Sequence, residues 1–439
     1  MSFKDTKLGR IPSEWDIKTL GDSLYIKARI GWKGLKKSEY LSSSNYRIIN
    51  GSNIDNNKID WNNCGYITEE RYEESPEIML DKNDIIMTKD GTIGKVAIIK
   101  DINEKTTVAS GLFVIRVLSE EININYLYYY FNSHYFKGLI KSRTEGSVIP
   151  HLYQRDLVEL LIPLPPRNEQ DKIAKILSDL DNKIEINNKI NKNLEEMAQA
   201  IFKQWFVYFE FPNEEGKPYK SSGGEMVESE FGMIPKEWRV SNLDEVLTTI
   251  EAGNRPKGGS GNLTEGIPSI GAENIIGLGQ YDYSKEKYVT VDYFNKMKKG
   301  VVKCKDVLLY KDGAQLGRKT FFMDGFPHNK CCINSHVFIL RGNESITQEY
   351  LYLWLDQYEM TEKIKNLNAN SAQPGINQTQ VKTLPILVPN KDIIDKFTKI
   401  IESLFKVIFN NCKENKKNTE LLDTLLPKLM SGEIRVNID

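Results

Sequence analysis

Few residues in this 439-residue chain stand at spacings suited to making or breaking bonds. The one set with metal-site character is His328, Cys331, Cys332 and His336, imidazoles and thiols close enough in sequence to imitate a zinc site. Neighbouring residues of a strand point to opposite faces, which works against Cys331 and Cys332 as joint ligands. Gly91-Thr92-Ile93-Gly94-Lys95-Val96 and the stretch from Gly253 to Ser260 are glycine-rich, yet neither has the P-loop pattern. The chain also lacks a Rossmann fingerprint, a G-x-S-x-G elbow and an H-E-x-x-H helix. Its acidic residues are numerous but form no isolated catalytic pair.

Basic, glycine-bearing loops are what remain. Residues 27–37 hold five cations, a tryptophan and no acid. Arginine and lysine suit phosphate oxygens and guanine edges, asparagine and glutamine suit adenine edges, and glycine permits close backbone approach. The expected nucleic-acid contacts are therefore Arg29, Trp32, Lys33, Lys36, Lys89, Thr92, Lys95 and Arg143. From the second half come Arg255, Lys257, Lys311, Gln315, Arg318, Lys319 and Gln373. For any single one of these, a solvated loop is the plain alternative. The set gains weight because such loops recur at matching places in the two halves.

That recurrence organises the whole chain. Gly9-Arg10-Ile11-Pro12-Ser13-Glu14-Trp15 returns as Gly232-Met233-Ile234-Pro235-Lys236-Glu237-Trp238, an offset of 223. Asp84-Ile85-Ile86-Met87-Thr88-Lys89-Asp90-Gly91 returns as Asp306-Val307-Leu308-Leu309-Tyr310-Lys311-Asp312-Gly313 at 222. Residues 147–154 return as 371–378 at 224. Chance matches would not stay collinear over half a chain, so two copies of one architecture are expected. The copy of residues 328–336 is then residues 103–111, with neither cysteine nor histidine, a second argument against zinc.

Each copy shows short β-rich runs broken by glycines (84–96 and 112–117; 307–322 and 337–340), a Tyr/Leu-rich helix (126–132; 350–358) and a proline-marked strand (161–166; 384–389). Each then ends in a long heptad helix. Steps of four and three pick out Ile173, Leu177, Leu180, Ile184, Asn187, Asn191, Leu194, Ala198 and Ile201. Adding 224 gives Phe397, Ile401, Leu404, Ile408, Asn411, Asn415, Asn418, Leu422 and Leu425. Apolar residues dominate both seams, and the asparagines break them at the same place. Such a pattern predicts an antiparallel coiled coil, on the order of 50–60 Å long, with register fixed by buried asparagines: Asn187 and Asn191 opposite Asn415 and Asn411. Asn168 and Asn390 are the expected N-caps, with Pro212 and Pro427 bounding the ends.

The expected fold class is α/β (α+β): two similar globular domains related by a pseudo-two-fold and separated by two long antiparallel helices. The expected boundaries are a first domain at 1–166, a central helix at 167–211, a polar linker at 212–228, a second domain at 229–389, a distal helix at 390–426 and a tail at 427–439. A net charge of −1, from 59 basic and 60 acidic side chains, excludes a uniformly basic coat but leaves local patches. No apolar run is long enough to span a bilayer, and the start lacks the apolar core of a signal peptide. Five scattered cysteines fit a reducing cytoplasm better than a disulfide framework.

The chain resembles the specificity subunit of type I restriction-modification systems. The resemblance spans nearly all of it: the I-P-x-E-W openings at Ile11 and Ile234, the run from Pro166 to Asp171, Met197-Ala198-Gln199-Ala200-Ile201-Phe202-Lys203-Gln204-Trp205-Phe206 with Phe209-Glu210-Phe211-Pro212, and the stretch from Leu422 to Ile434. It implies two target-recognition domains, each reading half of a bipartite DNA site. It also implies helices that set their spacing and dock two methyltransferase subunits, with motor-nuclease subunits joining the complex. The chain itself would then be non-catalytic and bind no cofactor: S-adenosylmethionine belongs to the methyltransferase partner, ATP and Mg²⁺ to the motor. A nuclease or methyltransferase with an undetected site, and a paired-domain adaptor for protein or RNA, are the competing classes. The second copy departs from the first in lacking a counterpart of Trp32 and in a less basic first loop.

Overall fold

Residues 2–30, 34–144, 151–256, 263–368 and 375–437 are described by a computed structural model. They divide into two units, Met1–Asn182 with Asn418–Asp439, and Lys183–Lys417. In the first unit, strands Val96–Ile98, Ile85–Thr88, Leu112–Val117 and Leu24–Ala28 lie side by side in that order, all antiparallel. The two middle strands are apolar almost throughout because both faces of the sheet are covered. Ile85, Met87, Phe113 and Ile115 enter a core shared with the helix Ile124–Asn132. Ile86, Leu112 and Val114 point the other way, into a smaller core with Ile49, Ile54, Ile78 and Val108. The strand Tyr46–Ile49 runs parallel to Lys105–Val108 and antiparallel to Gly65–Tyr66.

The second unit repeats this arrangement strand for strand. Lys319–Phe321, Val307–Tyr310, Val337–Gly342 and Leu247–Ala252 form the four-stranded sheet. Ile267–Ile270 runs parallel to Cys332–Ile333 and antiparallel to Tyr288–Val289. The proline-marked strands Leu161–Leu164 and Pro385–Val388 each pair with the strand after the I-P-x-E-W motif, Asp16–Thr19 and Arg239–Asn242. Two-stranded sheets tolerate their prolines.

The Tyr/Leu-rich helices start at side-chain caps, Asn123 for Ile124–Asn132 and Thr347 for Gln348–Asp356. Their aromatic residues carry polar tips that pin each helix to its proline-marked strand. Tyr126 donates to the Pro163 carbonyl (2.9 Å) and Tyr350 to that of Leu387 (2.6 Å). Tyr130 donates to Leu161 (2.7 Å) and, at the matching place, the Trp354 indole to Pro385 (3.0 Å).

The long helices are Arg167–Phe206 and Lys391–Met430, 40 residues each. Three expectations change at their ends. Asn168 lies inside the first turn, its Oδ1 accepting from the Glu169 amide (2.9 Å), rather than before the helix. Asn390 does sit one residue before its helix, but its side-chain amide donates to Glu237 (3.0 Å). Pro427 does not stop the second helix, which continues through it for three residues to Met430. A proline so near the C-terminus disturbs only the final turn of the ladder.

Within the second unit the helices are antiparallel. Asn187 donates to Asn415 (2.9 Å) and Glu414 (2.8 Å), while Asn411 donates to Asn191 (2.9 Å). Asn415 donates in turn to Asn188 (2.9 Å). Phe397, Ile401 and Ile408 are buried on this seam, with Leu404 partly so. A second apolar stripe, Phe405 and Phe409, packs on Phe321 and Phe326. Within the first unit Ile173 and Leu177 are buried in the same core that takes Leu422, Leu425 and Leu426. Leu180 and Ile184 are half-buried. Among the described residues no helix is long and apolar enough to cross a membrane.

Candidate nucleic-acid interface

The Asp-Gly turns at Asp90 and Asp312 are held from below by one device used twice. Asp84, almost fully buried, accepts from Arg116 Nε and Nη2 (both 2.7 Å), and from the Asp81 amide (2.7 Å). Asp306 accepts from Arg341 Nε (2.6 Å) and Nη2 (2.7 Å), and from the Lys303 amide (2.7 Å). The forked guanidinium matches the carboxylate at both oxygens, and this bond raises the pKa of Arg116 and of Arg341. The strand that follows each aspartate and leads to the turn is therefore anchored at its start.

The turns themselves are superimposable in bonding. The Lys89 amide donates to Gly111 (2.9 Å) and its carbonyl accepts from Leu152 (3.0 Å). The Lys311 amide donates to His336 (3.1 Å) and its carbonyl accepts from Ile376 (2.8 Å). Each lysine ammonium lies over an aromatic ring, Lys89 over Phe113 at 5.6 Å and Lys311 over Phe338 at 5.3 Å. Gly91 and Gly313 follow with φ of 67° and 81°, a left-handed turn that favours glycine. Each aspartate carries an imidazole: His151 Nδ1 bonds Asp90, and His336 Nδ1 bonds Asp312 (2.7 Å). Beyond His336, a nitrogen of Arg255 meets its Nε2.

By exposure the predicted residues fall into three groups. Lys36, Thr92, Arg143, Arg255 and Gln315 are exposed. Arg143 stands 3.4 Å from Glu159. Lys89, Lys95, Lys311 and Arg318 are half-buried: Lys95 donates to the Ile54 carbonyl (3.0 Å) and Arg318 to that of Ile275 (3.4 Å). Arg29 and Lys319 are corrections. Arg29 is 2% exposed, with its guanidinium on the Val108 carbonyl and Ser75, and burial lowers its pKa. Lys319 is 6% exposed and bonded to Thr361 (2.8 Å), with Asp356 at 3.4 Å. Neither cation can reach a phosphate or a base edge from the interior. Trp32, Lys33, Lys257 and Gln373 lie outside the described residues.

The cysteine–histidine cluster is drawn apart by its partners. Cys331 and Cys332 are buried, His328 bonds Glu286 and His336 bonds Asp312. Sequence reasoning missed the Asp–His pairs and the Asp–Arg clamps. Asp84, Asp90, Asp306 and Asp312 all stood in the repeated octapeptide, but nothing in sequence spacing links them to Arg116, Arg341 or either histidine.

Comparison with known proteins adds to this geometry. The family described as the Type I restriction modification DNA specificity domain matches residues 12–196 and again 235–422. The chain is 28% identical to the Type I restriction enzyme MjaIX specificity subunit of Methanocaldococcus jannaschii, over 99% of this chain and 96% of that protein. It is 26% identical to the Type I restriction enzyme HindI specificity subunit of Haemophilus influenzae, over 68% and 74% respectively. Among solved structures, the Type-I restriction-modification system S subunit from M. genitalium shares the fold, with a TM-score of 0.56 and 18% identity over 94% of this chain and 96% of that one. With a match in each half, on either side of the linker, the chain belongs to the type I restriction modification DNA specificity family and carries its domain twice.

Proposed function

We propose that this chain is the non-catalytic sequence-reading subunit of a type I restriction-modification complex, each unit reading one half of a bipartite DNA site. The observation that carries this is the pair of identically bonded Asp-Gly turns presented with different side chains around them. One frame fitted with two different readers is what an asymmetric, split target requires. Backbone-phosphate contacts come from Lys36, Lys89, Thr92, Arg143, Lys311 and Arg318, and bring affinity without sequence information. Near-neutral net charge leaves much of that affinity to partner subunits. The long helices set the separation of the half-sites and dock two methyltransferase subunits, which supply S-adenosylmethionine chemistry; motor-nuclease subunits supply ATP-driven cleavage.

Sequencing the methylated bases of a host carrying this chain with its methyltransferase tests the reading. The expected result is one motif of two unlike specific parts around a fixed unspecific gap. A contiguous motif, or methylation independent of this chain, would contradict it.

A further inference from the structure

The two Asp–His pairs occupy the same point of the fold, yet their histidines come from different segments of the repeat. His151 pairs backbone to backbone with Asp90, and the residue so placed against Asp312 is Gly375. His336 supplies the carbonyl bonded by the Lys311 amide, and the residue so placed for Lys89 is Gly111. Histidine and glycine have thus exchanged places around one conserved acceptor. A Cβ built on Gly111 would lie 3.7 Å from Asp90 Oδ2, so either position can deliver an imidazole to the aspartate. Inheritance from a common ancestor would have kept one position; the same pair reached by two routes points to a use for it.

The bonding fixes what each imidazole offers. An ionised carboxylate only accepts, so in each pair the neutral imidazole carries its proton on Nδ1 and leaves Nε2 as an acceptor. In the first unit His151 packs edge-on against Tyr153 (4.5 Å), and among the described residues its Nε2 has no hydrogen-bond partner. In the second, that acceptor is taken by Arg255, which donates to it and is otherwise exposed. The same point is an acceptor in one unit and a cationic donor in the other.

We infer that these are base-reading elements of opposite hydrogen-bonding sense: His151 Nε2 accepts from the exocyclic amino group of adenine or cytosine, and Arg255, oriented by the Asp312–His336 pair, donates to guanine. In the major groove only adenine and cytosine present an amino donor, and only guanine presents two adjacent acceptors for an arginine fork. This rests on the proposed function, since it needs DNA across the turns. Asp312 and His336 are positioning residues, acting through Arg255.

The test is methylation sequencing with the intact chain and its methyltransferase, comparing wild type with His151→Ala, Arg255→Ala and Asp312→Ala. His151→Ala should relax one position of one half-site, with discrimination there falling about 5- to 100-fold. Arg255→Ala should do the same at one guanine of the other half-site. Asp312→Ala should relax that same guanine by less, while the opposite half-site keeps its selectivity as the internal control for folding. An unchanged motif, or a uniform fall in methylation with no position relaxed, would overturn the inference. Wild type yielding no bipartite motif would instead sink the proposed function.

Discussion

The tryptophan of the I-P-x-E-W motif is buried in both units, but by opposite chemistry. Trp15 donates through its indole to Glu169 (3.1 Å), a fully buried carboxylate also gripped by Arg435 at 2.5 and 2.8 Å. Among the described residues Trp238 has no such partner; Phe211, the residue matching Arg435, stacks on it at 4.9 Å, with Phe209 edge-on at 5.7 Å. Where the domain meets the long helix from the other copy the contrast reverses. The second unit buries Lys319 with Asp356, and burial together with the nearby Asp356 carboxylate raises the pKa of Glu195 on the helix. The matching residues of the first unit are Val96, Asn132 and Thr419, with no charge among them. Backbone and packing were kept in the two copies while the buried charge moved from one joint to another. The frame specifies where a joint must close, and either an ion pair or an aromatic stack can close it.

That contrast can be broken by substitution. Arg435→Ala leaves Glu169 buried without its counter-charge and should cost about 3–5 kcal/mol in chemical denaturation. Phe211→Ala removes a buried ring at the corresponding joint, also at about 3–5 kcal/mol, through cavity formation. Retention of stability by Arg435→Ala would mean that the ionic joint is ornamental. A smaller effect is expected from pH. Burial, then Asp356 and Glu196, raise the Glu195 pKa from 4.5 to about 7. Its folded-state pKa exceeds the unfolded value, so its contribution is complete below about 4.5 and is lost as pH rises through about 7. Melting temperature should therefore fall from pH 5 to pH 8, and Glu195→Gln should flatten that fall; an identical slope in the variant would remove Glu195 from the account.

Smaller still is the asparagine seam. Replacing Asn187 and Asn415 together by leucine should raise stability by about 1 kcal/mol, a shift of about 2–4 °C, while loosening register. A drop would show that the buried amides are a net support. At the least, Lys36→Ala should weaken DNA binding by the assembled complex evenly across sequences and lower its salt slope by about one. A change of base preference there would make Lys36 a reader instead.

The duplication, the order of strands and helices, and the asparagine pairing were legible in the sequence because each is written as a period or an offset. The side of the sheet to which a cation points is not so written. Arg29 looked exposed among glycines and lysines, yet the carbonyl of Val108, 79 residues away, draws it inside. Lys319 looked like a loop cation until Asp356 and Thr361 closed over it. The Asp–His pairs escaped for the same reason: His151 lies 61 residues from Asp90, and His336 lies 24 from Asp312. Pro427 was misplaced because a local rule about proline carries no information on how near a helix is to its end.

The central claim is that each copy reads half a site independently of the other. It is tested most directly by replacing residues 229–389 with a second copy of residues 6–166 and sequencing the bases then methylated. The expected product is a bipartite motif whose two halves specify the same bases, those of the original first half. Retention of the original unlike halves, or the appearance of new bases in the first half, would contradict it.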